Sequence, residues 1–139
     1  MADKKKTTTE TKPTKRVKAK KKRKLASVNG IAHIHATVNN TIVTFSDLDG
    51  NVLTWASSGT SGYKGSKKST PYAAGVAATT ATKNAMAMGL KSVVIHVNGT
   101  GQGKDTAMRS IAACGIEVTE LNDVTAIPHN GCRPPKKPR

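Results

Sequence analysis

The sequence predicts a single α/β domain, in which helices pack on a mixed sheet, between two basic arms. The local patterns follow the order β-β-β-α-β-α-β, and that order is typical of such a domain. The charge lies at the ends: residues 1–24 have a net charge of +10 and residues 128–139 of +4, whereas residues 25–127 have only +1. The middle section is long enough for one hydrophobic core and too short for two.

The first half of the domain reads as an antiparallel meander. Residues 31–37 and 41–46 are rich in β-branched and apolar residues and predict two strands, joined by a tight turn at Asn39 and Asn40. The Asp-Gly-Asn sequence at residues 49–51 is a hairpin signal, and a third strand should follow it near residues 52–57.

The second half alternates helices and strands. Thr70 and Pro71 form a helix-start pair, and the alanine-rich helix that follows should end at Gly89. Three further elements are predicted from the apolar runs and the glycines that separate them. They are a buried strand at residues 92–97, a helix at about 104–114 and a last strand at 116–122.

The two arms have too few apolar side chains to build a core. Residues 128–139 contain four prolines, four cations and no acid, so we expect an extended tail that runs along a polyanion. Residues 1–24 are predicted to be a disordered basic extension. A domain with basic arms at both ends is typical of a protein that binds RNA or DNA, although a tail that only improves solubility is the alternative.

Two loops are candidate phosphate sites. Residues 98–103 form a glycine-rich turn between a strand and a helix, where backbone N–H groups can face an anion. This turn matches neither the P-loop nor the dinucleotide motif, so the open alternatives are a nucleic-acid phosphate or a purely structural turn. Residues 63–70 form a basic, hydroxyl-rich loop before a helix, which is either a phosphate site or a solvated loop.

Other chemistry finds little support in the sequence. The four histidines and two cysteines form no recognised ligand array, and no acid stands in a motif with a nucleophile, so we expect no metal, no cofactor and no catalysis. Only four aromatic residues are present, which disfavours a base-stacking platform. Neither a signal peptide nor a membrane-spanning run is apparent, so the chain is expected to be cytoplasmic and without a membrane partner.

Four segments together resemble the bacterial form of the universal small-subunit ribosomal protein eleven family. They are residues 30–37, 39–44, 65–71 and 127–137, in the same order as in the family. The resemblance covers the chain from about Val28 to its C-terminus, and the last segment, IPHNGCRPPKK, is highly specific. Residues 1–24 match only in being basic.

This resemblance implies a ribonuclease-H-like, three-layer α/β/α fold with a mixed five-stranded sheet and no nuclease activity. It also implies a structural role on the platform of the small ribosomal subunit, where the protein would bind ribosomal RNA near the messenger RNA exit. The implied partners are small-subunit ribosomal proteins seven and eighteen, with initiation factor three nearby. A free RNA- or DNA-binding architectural factor, or a chaperone, is the alternative.

Matched residue by residue, the resemblance implies RNA contacts from three loops, the second helix and the tail. The expected RNA-binding residues are Asn39, Asn40, Thr41, Lys64, Ser66, Lys67, Lys68, Gly99, Gly101, Gly103, Lys104, Arg109, His129, Asn130, Arg133, Lys136, Lys137 and Arg139.

Overall fold

A computed structural model describes residues 28–137 of the chain and contains all seven predicted elements. A short 3-10 helix, Gly65–Ser69, is added within the loop before the first α-helix. The strands and helices are β1 Asn29–Ala36, β2 Thr41–Asp47, β3 Val52–Ser57, α1 Pro71–Ala87, β4 Ser92–Asn98, α2 Gly103–Ala113 and β5 Glu117–Asp123.

The five strands form one mixed sheet in the order β3-β2-β1-β4-β5. β2 is antiparallel to both β1 and β3, whereas β4 is parallel to β1 and to β5. Consequently β1, β3, β4 and β5 all run in the same direction, and their carboxyl ends lie at one edge of the sheet. The predicted mixed five-stranded α/β fold is confirmed.

Helix α1 starts and ends where the sequence indicates. The Thr70 hydroxyl accepts a hydrogen bond from the Ala73 N–H at 3.4 Å, and Pro71 occupies the first turn. After the helix, Gly89 has φ +106°, a left-handed conformation that few other residues adopt without strain.

The core lies between the helices and one face of the sheet. Its largest fully buried side chains are Phe45 and Ile34 from the meander, Ile95 from β4 and Ile111 from α2. The buried face of α1 is mostly alanine, and a Cβ at its Gly75 would lie only 3.1 Å from the Ser110 hydroxyl oxygen. Small side chains therefore let α1 and α2 pack closely against each other.

Residues 28–137 form two layers rather than the three that the family resemblance implies. The two helices contact each other extensively, so they lie on the same face of the sheet. This placement follows from the topology, because both crossovers, β3 to β4 and β4 to β5, proceed in the same direction and are expected to be right-handed. On the opposite face, His33, His35 and Trp55 are exposed.

The predicted N-terminal extension, residues 1–24, and Arg139 lie outside the described residues. The division into extension, domain and tail therefore stays a prediction. Within residues 28–137, neither helix is both long and apolar enough to span a membrane.

Candidate nucleic-acid interface

The loops with predicted RNA contacts gather at the carboxyl edge of the parallel strands. This surface, called the loop edge below, comprises residues 37–40, 58–70 and 99–102 and the chain from residue 124 onward. Parallel strands end at the same edge of a sheet, and in open α/β sheets ligands bind outside these carboxyl ends. A cleft of about 300 Å³ is bordered by all three loops, with Val38, Ser69, Thr100, Gly101 and Gln102 as its lining.

The β1–β2 turn is held by its own polar groups. The Thr37 N–H donates to the Asn40 carbonyl oxygen at 2.8 Å, and the Asn40 N–H donates to the Thr37 hydroxyl at 3.1 Å. The Asn40 side-chain oxygen accepts from the Thr41 N–H at 2.9 Å, so this oxygen is already engaged. Asn39 is exposed and can present its amide to a ligand.

Thr41, another of the expected RNA contacts, is buried in the protein. Its side chain is only 2% exposed. It packs against the first residue of α2, since a Cβ at Gly103 would lie 2.4 Å from the Thr41 hydroxyl oxygen. Thr41 therefore belongs to the packing between β2 and α2, and Gly103 permits that close approach.

The basic loop is a short, ordered cationic segment. In the 3-10 helix the Ser69 hydroxyl donates to the Ser66 carbonyl oxygen at 2.6 Å, and the Thr70 hydroxyl donates to the Lys67 carbonyl oxygen at 2.7 Å. The four residues expected to bind RNA here are exposed, apart from Lys68, which is half-buried; they are Lys64, Ser66, Lys67 and Lys68. Ordering before binding lowers the entropic cost of a phosphate contact.

The glycines of the glycine-rich turn are needed for packing against the β1–β2 connection. The Gly101 N–H donates to the Ala36 carbonyl oxygen at 3.1 Å, and the Gly99 N–H donates to the Thr125 hydroxyl at 3.1 Å. A Cβ at Gly99 would lie 2.0 Å from the Ala36 carbonyl oxygen, and Gly99 has φ +107°. A structural role thus accounts for these two N–H groups, while Thr100 and Gln102 remain exposed.

The two cations of α2 differ in position. Lys104 stands in the first turn, beside Asp123 at the end of β5, and so borders the loop edge. Arg109 lies more than one turn further along α2 and faces Val118 and Leu121 in a groove beside β5. The structure therefore places Arg109 away from the loop edge.

The chain that leads into the tail leaves the sheet at the loop edge and is fastened there. The Val124 N–H donates to the Val97 carbonyl oxygen at 2.8 Å, which continues the β4–β5 pairing by one residue. The Thr125 hydroxyl donates to Asp123 Oδ1 and accepts from the Gly99 N–H, so it joins the segment before the tail to the glycine-rich turn. Hydrogen bonds from the Thr125 side chain and backbone hold the pKa of the Asp123 carboxyl below its usual value of 3.8.

Beyond this attachment the tail has no helix or strand within the described residues. Asn130 adopts φ +59°, a left-handed conformation that asparagine tolerates better than most residues. The expected RNA-binding residues of the described tail are all exposed; they are His129, Asn130, Arg133, Lys136 and Lys137.

Sequence reasoning missed Thr125. An acid followed two positions later by threonine, as in Asp123-Val124-Thr125, is a turn-forming pattern, because the carboxylate accepts both the backbone N–H and the hydroxyl. The pattern signals a local turn. It does not show that the same hydroxyl reaches Gly99, 26 positions away.

Comparison with known proteins gives consistent results. The family described as Ribosomal protein S11 matches residues 30–139. The chain is 68% identical over 121 residues to small ribosomal subunit protein uS11 of Mycoplasmoides gallisepticum, with 87% of this chain and 99% of the relative covered. It is 66% identical over 119 residues to the protein of the same name from Ureaplasma parvum, with 86% and 98% covered. A third, from Marinobacter nauticus, is 57% identical over 122 residues, with 88% and 95% covered.

Proposed function

Because this chain belongs to the ribosomal protein S11 family, we propose that it is a structural component of the small ribosomal subunit that binds ribosomal RNA through the loop edge and the tail. It would help to shape the subunit platform near the messenger RNA exit, in the cytoplasm and without catalytic activity. Its neighbours would include small-subunit ribosomal proteins seven and eighteen and, transiently, initiation factor three.

The observation that carries this proposal is that the basic loop, the glycine-rich turn and the chain leading into the basic tail lie at one edge of the sheet. The 3-10 helix contributes Lys67 and Lys68 at this edge, and the exposed tail that continues from it carries Arg133, Lys136 and Lys137. Lys104 borders the same edge from α2. Phosphate contacts from such cations supply affinity and fix orientation, while sequence is read by other groups.

The pre-ordered loops favour recognition of RNA shape over loose electrostatic attraction. A flexible basic segment binds any polyanion and loses its affinity as salt rises. In contrast, the basic loop and the glycine-rich turn have fixed backbones that border one cleft, so they can match a particular arrangement of phosphates. We expect part of the affinity for the correct RNA to persist at high salt.

The test is binding of the full chain to a platform fragment of small-subunit ribosomal RNA and to a length-matched control RNA, each measured across a salt series. Preference for the platform fragment at high salt is the expected result. Equal affinities that fall together with rising salt would contradict the proposal and would favour a free architectural factor or chaperone.

A further inference from the structure

The outer edge of β5 is a second surface with a different chemistry. β5 is the last strand of the sheet, and no other strand among residues 28–137 pairs with its outer side. Most of its residues are exposed, including Leu121, which is 59% exposed. An open strand edge with an apolar side chain beside it is a template for the addition of another strand.

A groove runs between β5 and α2 on the helix side of the sheet. Two adjoining cavities of about 360 and 230 Å³ share Asp105, Met108 and Leu121 and so form one continuous groove, called the β5 groove below. Its floor is the buried β4 residues Ile95 and Val97. The groove is thus apolar at its floor and charged at its rim.

The irregular register of β5 explains why apolar residues line the groove. Val93 pairs with Val118, but Val94 pairs with Glu120, so Thr119 is an extra residue in the strand. As a result Val118 and Leu121 both lie on the helix side, whereas Glu120 lies on the opposite face. Because α2 packs mainly against α1 and β1, it leaves Leu121 uncovered.

Acids are concentrated at this edge, although the protein as a whole has a net charge of +15. Residues 28–137 contain six acids, and four of them are on α2 or β5. These four acids outnumber the two cations of the same region, Lys104 and Arg109. Phosphates would be repelled here, whereas a cationic segment would be attracted. The four acids are Asp105, Glu117, Glu120 and Asp123.

We propose that the outer edge of β5 binds an extended, lysine- or arginine-containing segment of another small-subunit protein as a sixth strand. Successive side chains of a strand point to opposite faces of the sheet. One set would therefore place an apolar side chain in the β5 groove against Leu121 and Met108, and the other would place cations beside Glu120. Main-chain hydrogen bonds supply affinity in this mode, and the side-chain sites supply specificity. This inference rests on the proposed function, because it takes the binding partner to be another protein of the small ribosomal subunit.

The chain's own N-terminal segment fits this surface less well than another protein does. Residues 1–27 contain twelve cations, which would suit the acids of β5. They contain only three large apolar side chains, Met1, Val17 and Leu25, and these are widely spaced along the chain. A segment that alternates apolar and cationic residues matches the groove and its rim better.

The test is site-specific photo-cross-linking in assembled small subunits, with the full chain and p-benzoyl-phenylalanine in place of Leu121. The matched control carries the same substitution at Val52, which is 48% exposed on β3, the edge strand at the other side of the sheet. Mass spectrometry identifies the adducts. The expected result is an adduct between position 121 and a lysine- or arginine-containing segment of another protein, with no such adduct from position 52.

A charge reversal provides a second readout. Glu120→Lys in the same photo-reactive chain should lower the adduct yield roughly three- to fivefold, as expected for the loss of an exposed ion pair. Asp49→Lys, the same change at the distant β2–β3 turn, should leave the yield unchanged. Both residues are exposed, so neither change should impair folding.

Several outcomes would overturn the inference. Adducts between position 121 and ribosomal RNA, or between position 121 and residues 1–27, would assign the surface to a different occupant. The absence of any adduct in subunits that contain the protein would show that the edge is free. Failure of the unsubstituted chain to enter small subunits would instead contradict the proposed function, and this inference with it.

Discussion

The loop edge and the outer edge of β5 belong to the same sheet but offer opposite chemistry to a partner. At the loop edge, cations and hydroxyls stand on short loops whose backbones are fixed by hydrogen bonds. At β5, the rim of an apolar groove carries both acids and cations, Glu120 lies on the opposite face of the strand, and the strand edge is open. The first surface is suited to phosphates, and the second to an extended basic protein segment.

The difference shows that the position of charge is more informative than its total. A net charge of +15 predicts attraction to nucleic acid from every side. Residues 25–127 have a net charge of only +1, however, and their charges are unevenly distributed: residues 58–70 contain three lysines and no acid, whereas α2 and β5 together contain four acids and two cations. Such an uneven distribution orients a protein, because it turns one surface toward RNA and leaves another for protein contacts.

The largest expected effect comes from Gly101→Ala, which would disrupt the packing of the glycine-rich turn against the β1–β2 turn. The new Cβ would lie 2.3 Å from the Thr37 carbonyl oxygen, so the glycine-rich turn or the β1–β2 turn must move. We expect the free energy of unfolding, measured by urea denaturation, to fall by about 3 kcal/mol.

Gly59→Ala is the matched control, because Gly59 is exposed and the nearest atom to an added Cβ would be Cδ of the flexible Lys68 side chain, at 3.4 Å. This control should change the free energy of unfolding by less than about 0.5 kcal/mol. Equal stability of the two variants would mean that the glycine-rich turn is only a connector.

The next effect is on RNA affinity. Changing Lys67 and Lys68 together to glutamine should weaken binding at 0.1 M salt roughly tenfold for each phosphate that the protein no longer neutralises, and should lower the salt slope by about 0.9 for each such phosphate. The comparison is with the double change of Lys83 and Lys91 to glutamine, which removes the same charge from exposed positions outside the loop edge. If both double variants weaken binding equally, total charge rather than its placement governs binding.

The tail should contribute a smaller effect, since its described residues, 128–137, are exposed and are held by few interactions within the protein. Changing Lys136 and Lys137 to glutamine should reduce the salt slope by about one unit for each phosphate that the tail no longer neutralises, with a smaller change in discrimination between RNAs. A salt series with the platform fragment measures both quantities. An unchanged salt slope would show that Lys136 and Lys137 contact no phosphate, and that this part of the tail does not belong to the RNA interface.

The smallest effect concerns the attachment of the tail. Because the pKa of Asp123 is lowered in the folded protein, its stabilising interaction is fully present above pH 3.8 and disappears as the pH falls through the folded-state value below that. The protection of the Gly99 and Thr125 amides, taken as the intrinsic exchange rate at each pH divided by the rate measured by NMR, should therefore decrease only at a pH below 3.8. In Asp123→Asn this pH dependence should disappear; its persistence would assign the transition to another group.

Much of the fold could be predicted from local sequence patterns. The main differences between prediction and structure arise from tertiary packing. The predicted third strand coincides with β3, and α1 begins at the predicted Pro71, since turn residues and caps at these positions are strong local signals. The two-layer arrangement depends on strand order, because crossovers in a single direction place both helices on one face. Local patterns do not reveal that order.

For the candidate site, too, local sequence predicts some features, whereas others depend on tertiary packing. The lysines of the basic loop lie on the surface as expected, because their type and sequence context favour exposure. The burial of Thr41 was not apparent, since it depends on packing against Gly103, which is 62 positions away along the chain. Likewise the apolar groove depends on the extra residue Thr119, which shifts Leu121 onto the helix side of the sheet.

Ultraviolet protein–RNA cross-linking of assembled small subunits, read by mass spectrometry, tests most directly whether the loop edge faces RNA and β5 does not. We predict cross-linked peptides that contain residues 64–68 and 129–137, and none that contain residues 117–121. RNA cross-links concentrated on residues 117–121, with none at the basic loop or the tail, would contradict the assignment of the two surfaces.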